Sequence, residues 1–450
     1  MIWGNWFTRL FGRKREPYVS PFWSGALGPR QQQNEELRYV ESVECFDDLG
    51  EDLFQVMVDN ESHLVVYGAM GTGKTTLMRS CLRKIPPGFS ALVFDVGGGY
   101  EGFTDYHALY PINPVELVPH ALHSVVDEVL KIAGVSEALS SPMIYNAIRC
   151  ITWLTGLPSP FGPPQSFDVR RFSRDFTGLF RLCGALVEEG VVASDDANSI
   201  KALLRRLFDM HHWAINSPET HPLVKKFLSG GLRGKSVGID LRPFRFDIQR
   251  WFYIIALLKA IELSDLTNLI IVIDEAHLFL QSPASTLSSL VRVGRNRRVY
   301  FALISQAPQD FPSSIWSTDK IFIEFPIPFI SFMDVLRRRP SYKYALGEED
   351  VPGIRTKGEL EEHWRDIHTA MAIIKPTTPK MKECLGAGMT MMPVKVNVNI
   401  QPKPDAITLR KCAEKYGVPI ELVWERGFGS SVDKLRGSEV RAVWECIGGQ

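Results

Sequence analysis

The chain has 450 residues, 45% hydrophobic and 23% charged, a soluble globular composition that allows one large domain with an insertion, or two to three domains. Lys+Arg and Asp+Glu both number 51, so net charge excludes no class of partner and any basic surface has to be local. No apolar run reaches the roughly 18 residues that a membrane-spanning helix requires. The seven cysteines are scattered, odd in number and without a C-x-x-C pair; they fit a reducing cytoplasm, use as small apolar fillers, and no zinc site.

Residues 1–60 read as an N-terminal arm. Its first stretch, MIWGNWFTRLFGRKR, spaces Trp3, Trp6, Phe7, Leu10 and Phe11 at helical intervals ahead of Arg9, Arg13, Lys14 and Arg15. Two readings stand: a partly ordered tail, or a segment that docks on a partner or on a membrane surface, which would make a cytoplasmic protein peripheral to the membrane. His63–Tyr67 is an apolar run suited to a buried parallel strand. It leads into Gly68, Gly71, Thr72, Gly73, Lys74, Thr75 and Thr76, which carry the G-x-x-x-x-G-K-T spacing of a phosphate-binding loop. Glycines let the backbone approach closely, successive N–H groups form an anion nest at a helix N-terminus, and Lys74 reaches the terminal phosphates. The Thr75 hydroxyl is placed to ligate Mg²⁺. Leu92–Asp95 is the next strand and runs out into Val96-Gly97-Gly98-Gly99-Tyr100, either a flexible loop or a neighbour of the nucleotide.

After the turn at Tyr110–Pro114, residues 115–230 read as a helical insertion, broken by prolines at 158–164. Its segment KALLRRLF (201–208) has one basic and one apolar face, a solvated core helix or a DNA contact; the adjacent His211-His212 do not share a helix face and are not metal ligands. Ser236–Leu241 is a strand and 247–263 a helix. Leu269–Ile273 is a buried strand that ends in Asp274 and Glu275, where ligands sit in parallel sheets. Asp274 there can hold Mg²⁺ through water, and Glu275 can polarise an attacking water. Residues 284–298 form a helix ending in Arg292, Arg295, Arg297 and Arg298, a solvated cluster or a source of charge for a neighbouring subunit. Val299–Gln306 is a strand whose last residue, Gln306, can hydrogen-bond a γ-phosphate or the attacking water. Lys320–Phe325 is a further strand. Prolines across 376–404 predict a linker or an edge strand rather than a helix. Residues 405–450 predict a helix-turn-helix-like module, with a helix at 408–416 and a turn at Gly417.

Strands alternating with helices predict an α/β fold with a mainly parallel sheet. GAMGTGKTT, LIIVIDEAHLFL and VGRNRRVYFALISQAPQDFPSSIW, in that order, resemble the HerA/FtsK superfamily of ring-shaped DNA-pumping ATPases; FDVGGGYEGF, INPVEL and SVGIDL are similar to intervening parts of that family. The resemblance covers about 60–325. It implies a RecA-like P-loop NTPase core over 61–114 and 231–375, ATP and Mg²⁺ as cofactors, Lys74 and Thr75 on phosphate and metal, Asp274 on the metal and Glu275 on water. Gln306 would sense the γ-phosphate, and Arg295, ahead of Arg292 and Arg298, would act in trans. It further implies a homo-oligomer, a hexamer, that passes double-stranded DNA through its channel. Only about 60 residues precede the first core strand, too few for the β-barrel of HerA or the membrane helices of FtsK. A mobile-element, conjugation-type or packaging role is therefore expected, with a coupling ATPase for protein or nucleoprotein secretion, or a slow nucleotide-dependent switch, as the alternatives.

Overall fold

The computed structural model describes residues 37–40, 42–132, 150, 153–154, 168–207, 213–280, 286–311, 320–325, 369–420, 423 and 438–447. The aromatic-basic N-terminal stretch, the prolines at 158–164 and the His211-His212 pair lie outside these residues.

In chain order the elements are β1 (Leu37–Tyr39), α1 (Leu49–Asp59), β2 (His63–Tyr67), α2 (Lys74–Cys81), β3 (Ser90–Asp95), β4 (Tyr106–Ala108), α3 (Pro114–Leu117) and α4 (Leu122–Ile132). Then come α5 (Phe176–Glu188), α6 (Ser194–Leu207), α7 (Pro222–Leu228), β5 (Ser236–Asp240), α8 (Asp247–Leu263), β6 (Leu269–Ile273), α9 (Thr286–Val293), β7 (Val299–Ser305) and β8 (Lys320–Glu324). The last are β9 (Thr369–Ile374), α10 (Pro379–Leu385), β10 (Met389–Lys395), β11 (Ile407–Thr408), α11 (Leu409–Lys415) and α12 (Ser438–Ile447).

Continuous apolar runs such as LIIVI and VYFALIS make strands whose every residue is buried, because helices cover both faces of the sheet. Eleven strands join in the order β1-β10-β9-β8-β2-β7-β6-β3-β5-β4-β11. Only the pairings on either side of β9 are antiparallel; the other eight pairings are parallel. This is the expected α/β architecture. Alternate side chains feed two cores. Val65, Leu92, Ile271 and Leu303 pack with residues of α4, α5, α8 and α9. Leu64, Val66, Val93, Val272 and Ile304 pack with α1, α2 and α10. The helices between 114 and 228 share the first of these cores with the sheet, as does the C-terminal module through Leu409, Val443 and Trp444. Trp444 meets Trp213 edge-on at 4.7 Å.

Residues 376–404 depart from expectation. They hold the helix α10 and the strand β10, which lies inside β1 in the sheet. The prolines are compatible with both. Pro379 takes the first position of α10 behind the Thr378 cap, where its missing N–H costs nothing. Met391 turns its carbonyl outward to the Val40 N–H (2.9 Å), so Pro393, two residues on, also turns its donorless nitrogen outward. The cysteines depart as well. Cys45 pairs with Cys384 and Cys412 with Cys446, each with Cα atoms 6.0 Å apart; Cys81, Cys150 and Cys183 are the buried free thiols that fill apolar space. Partners 339 and 34 residues apart leave no spacing signal, and the cysteine pattern no longer points to a reducing compartment. Among the described residues no helix is long and apolar enough to cross a membrane.

Asn60, fully buried, ties the end of α1 to the segment entering α10. Its amide nitrogen donates to Ser62 Oγ and the Lys375 carbonyl (both 3.0 Å), and its oxygen accepts from the Thr377 N–H at 2.7 Å. Asn60→Ala strands these buried groups and is expected to lower stability by about 2 kcal/mol, measured as a fall in the urea midpoint at constant m value.

Candidate nucleotide and metal site

Four neighbouring parallel strands end close together, β2 and β7 running two residues past the level of Ile273 and Phe94. Tyr67 of β2 lies opposite Ser305 of β7, Leu303 of β7 opposite Ile273 of β6, and Ile273 opposite Phe94 of β3. The next residues along these strands are Gly68, Gln306, Asp274 and Asp95, so one sheet edge gathers groups from four distant stretches of chain.

The glycine loop fills the gap between β2 and α2. A Cβ on Gly68 would come within 2.2 Å of Phe325 Cβ, and Gly71 and Gly73 hold φ of 78° and 105°, which only glycine adopts readily. Lys74 opens α2 and turns its Nζ back onto the Gly68 and Ala69 carbonyls at 2.6 and 2.8 Å. Thr72 Oγ1 donates to the Ala69 carbonyl at 2.8 Å. Thr75 Oγ1 donates to Asp274 Oδ2 at 3.3 Å, which joins the loop to the acidic strand end. No specific contact of the Thr76 side chain bears on the site.

Glu275 sits at φ 54°, ψ 46°, a left-handed backbone conformation that costs a non-glycine residue about 1–2 kcal/mol. Gln306 Nε2 donates to both Glu275 carboxylate oxygens, at 3.2 and 3.3 Å. His277, a residue that the sequence reading passed over, brings Nδ1 to 3.1 Å from Ser305 Oγ and 3.4 Å from Glu275 Oε2. The Ser305 hydroxyl donates onward to Asp310 at 2.5 Å, which leaves His277 Nδ1 as the donor to Ser305.

Burial and then the adjacent Glu275 push the Asp274 carboxyl above the usual range. Burial pulls the Lys74 ammonium below its usual range, against the pull of Glu275 and Asp274. Each charge is thus held away from water at some cost and beside its opposites. A polyanion arriving with a divalent cation satisfies both signs at once. Thr75 and Asp274 present two oxygen donors, the hard chemistry Mg²⁺ takes, and Mg²⁺ at phosphates needs only one or two protein ligands. Among the described residues no group of three or more His, Cys, Asp or Glu gathers as a metal site.

A second wall comes from the loop after β3. Asp95, fully buried, accepts from the N–H groups of Gly98 (2.6 Å), Gly99 (3.0 Å) and Tyr100 (2.8 Å), and His107 Nε2 lies 3.0 Å from its Oδ2. Burial raises this carboxyl, but His107 and the N–H groups outweigh it and hold Asp95 below the usual range. Arg79 Nε of α2 donates to the Gly99 carbonyl at 2.5 Å. The three glycines are therefore a fixed wall of the site rather than a flexible loop. A strand-end acid three residues before paired glycines was the available sequence signal.

The arginines lie at the other end. Gly294–Arg297 forms a 3-10 turn just before β7, at the sheet edge opposite Gln306. Arg297 donates to the carbonyls of Ile261 (3.0 Å), Glu262 (2.9 Å) and Leu266 (2.8 Å) and to that of Ser264, capping the end of α8. Arg298 lies over the Phe89 ring at 4.9 Å. Arg295 is half-buried and Arg292 exposed. None of the four meets the phosphate loop of its own chain, since about 20 Å of strand separates the two edges.

Comparison with known proteins gives the fold a place. No protein-family model matches the sequence, and no curated protein sequence matches it. Among solved structures, VirB4 of Thermoanaerobacter pseudethanolicus aligns at 12% identity and a TM-score of 0.50, over 75% of this chain and 89% of that one. The plasmid coupling protein TrwB in complex with ADP and Mg²⁺ aligns at 14% identity and a TM-score of 0.47, over 77% of this chain and 88% of that one. The chain has a RecA-like P-loop NTPase fold, shared with VirB4.

The raised Asp274 carboxyl has a consequence for stability. A carboxyl whose folded pKa lies above its unfolded value destabilises the fold once pH exceeds the unfolded pKa, increasingly as pH rises toward the folded one. Asp274→Asn is therefore expected to stabilise the metal-free protein at pH 7 by about 1 kcal/mol, seen as a higher Tm that converges with the parent's as pH falls below about 4.

Proposed function

We propose that the chain is an ATP-hydrolysing motor of the conjugation type that assembles as a hexameric ring and translocates double-stranded DNA. The observation that carries this reading is the convergence of Lys74, Thr75, Asp274, Glu275 and Gln306 on one sheet edge, with Thr75 bonded to Asp274 and Gln306 bonded to Glu275. A nucleotide that is only held has little use for a water-polarising acid restrained by a glutamine.

The backbone N–H groups of 71–76 and the N-terminus of α2 bind the phosphates. Lys74 leaves the Gly68 and Ala69 carbonyls for phosphate oxygens. Thr75 and Asp274 hold Mg²⁺, which when bound neutralises charge on the β- and γ-phosphates. Glu275 orients and polarises the attacking water, and Gln306 exchanges its bonds to Glu275 for bonds to the water and the γ-phosphate. Its loss of that partner after hydrolysis would be relayed by Ala307–Asp310, which follow the strand and turn into a 3-10 helix. Arg295 of a neighbouring copy supplies transition-state charge, since a chain cannot bring its own Arg295 to its own site. Motor loops acting on backbone phosphates need no base contacts, which suits movement along any sequence. The aromatic-basic stretch of the N-terminal arm, 1–60, docks the ring on a membrane surface or a partner.

The deciding measurement is ATP turnover titrated with double-stranded DNA, beside native mass in nucleotide. Stimulation by DNA and a mass of six chains are expected; turnover indifferent to DNA moves the cargo to protein. Lys74→Ala is expected to abolish turnover, and Glu275→Gln to bind ATP without turning it over, which a slow switch would not need. Arg295→Ala should leave nucleotide affinity within about twofold and slow hydrolysis about a hundredfold or more. Wild-type hydrolysis in that variant removes Arg295 from the role.

A further inference from the structure

Tyr100 is the one wall residue whose polar atom has no assigned work. Its ring is fully buried, its N–H is held by Asp95 at 2.8 Å, and its hydroxyl, shielded from water, faces the Asp274 carboxylate without a hydrogen bond of good geometry. Buried hydroxyls are rarely left so, and an orphan at a site edge points to a partner that moves or arrives. Asp95 and Asp274 follow the paired residues Phe94 and Ile273 on adjacent strands, and the Asp274 N–H reaches the Phe94 carbonyl at 3.4 Å. Burial, then the Asp274 carboxylate, raise the Tyr100 phenol well above its usual range, as expected of a donor kept protonated beside an acid. The same loop presses on the other metal-ligand candidate: a Cβ on Gly99 would come within 2.8 Å of Thr75 Cγ2.

We propose that Tyr100 is a positioning residue for the metal site: its hydroxyl donates to the Asp274 carboxylate when a divalent cation binds, while Gly99 backs Thr75, so that one loop sets both ligands. The inference rests on the reading of Thr75 and Asp274 as Mg²⁺ ligands and adds the groups that orient them. Asp274 Oδ2 already faces Thr75 Oγ1 and its Oδ1 accepts the Glu275 N–H at 3.0 Å. A third donor, from Tyr100, fixes the carboxylate plane against rotation, which is the usual service of groups behind a ligand. Asp95 contributes indirectly: with three N–H bonds and His107 it holds the peptide that carries the phenol. Arg79, bonded to the Gly99 carbonyl and stacked 4.6 Å from the Phe103 ring, fixes the loop to α2, the helix that bears Thr75.

The test uses the full chain with Mn²⁺ as probe, titrated by electron paramagnetic resonance in the presence of ADP, so that no readout depends on turnover. Tyr100→Phe keeps the buried ring. It is expected to weaken Mn²⁺ about tenfold, to leave ADP affinity in EDTA within about twofold, and to leave the Tm of the metal-free protein unchanged. Gly99→Ala, which displaces Thr75 by a different route, is expected to weaken Mn²⁺ as well. Mn²⁺ affinity equal to the parent's in Tyr100→Phe overturns the proposal. So does an equal loss of Mn²⁺ and metal-free ADP affinity, which marks general damage to the pocket. The underlying metal reading fails separately, and takes this inference with it, if Thr75→Ala and Asp274→Asn leave Mn²⁺ affinity untouched in a parent chain that binds the metal.

Discussion

Tyr67 against Ser305, Leu303 against Ile273 and Ile273 against Phe94 are the pairings on which the site depends, because they bring the ends of four parallel strands to one edge with a fixed two-residue stagger. Side chains in a strand alternate faces, so a slip of one residue in any of these pairings would turn its apolar set out of one core and into the other. The two cores on either side of β2, β3, β6 and β7 therefore hold the register, and the register sets Gly68 and Gln306 level with each other, two residues beyond Asp274 and Asp95. Within the strands His63 adds one side-chain bond, accepting the Phe301 N–H at 3.1 Å, and the chemistry begins where burial of apolar side chains ends.

Electrostatic tension at this edge follows from the same arrangement. Lys74 is drawn below its usual range and Asp274 pushed above its own, because strand ends beneath a helix N-terminus are poorly hydrated. Glu275 adds a backbone in the left-handed region. Such a site is less stable empty than an apolar one would be and gains most when a ligand of matching charge arrives. The surrounding parts are rigid in compensation: Asp95 anchors three successive N–H groups, and Arg297 closes the end of α8 with four carbonyls.

Much of this was visible in the amino-acid order. The strands at 63–67, 236–240, 269–273 and 299–305 and the helix at 247–263 stand where apolar runs and periodicity put them, since continuous burial leaves a composition signal. Glycine spacing located the phosphate loop. What stayed hidden depends on long-range pairing. The strand at 389–395 was obscured by Pro393, which the sheet tolerates because that nitrogen points outward. The cysteine pairs, and the bond from Asn60 to residues more than 300 positions away, have no local trace. Asp95 looked like one more polar strand end, and only the folded loop gives it its three donors. The crowded arginines were visible as a cluster, but their division of labour was not: Arg297 is occupied with main-chain carbonyls, and Arg298 lies over an aromatic ring.

Pro393 also bears on how the sheet meets the rest of the cell. β1 is three residues long and pairs with β10 only as far as Met391. The next outward position along β10 is Pro393, which offers no hydrogen to an approaching strand. A second polypeptide laid along this margin could not continue the ladder past the point where β1 stops. Among the described residues this margin of the sheet thus lacks a main-chain donor just where β1 stops, which weakens any pairing with another polypeptide there.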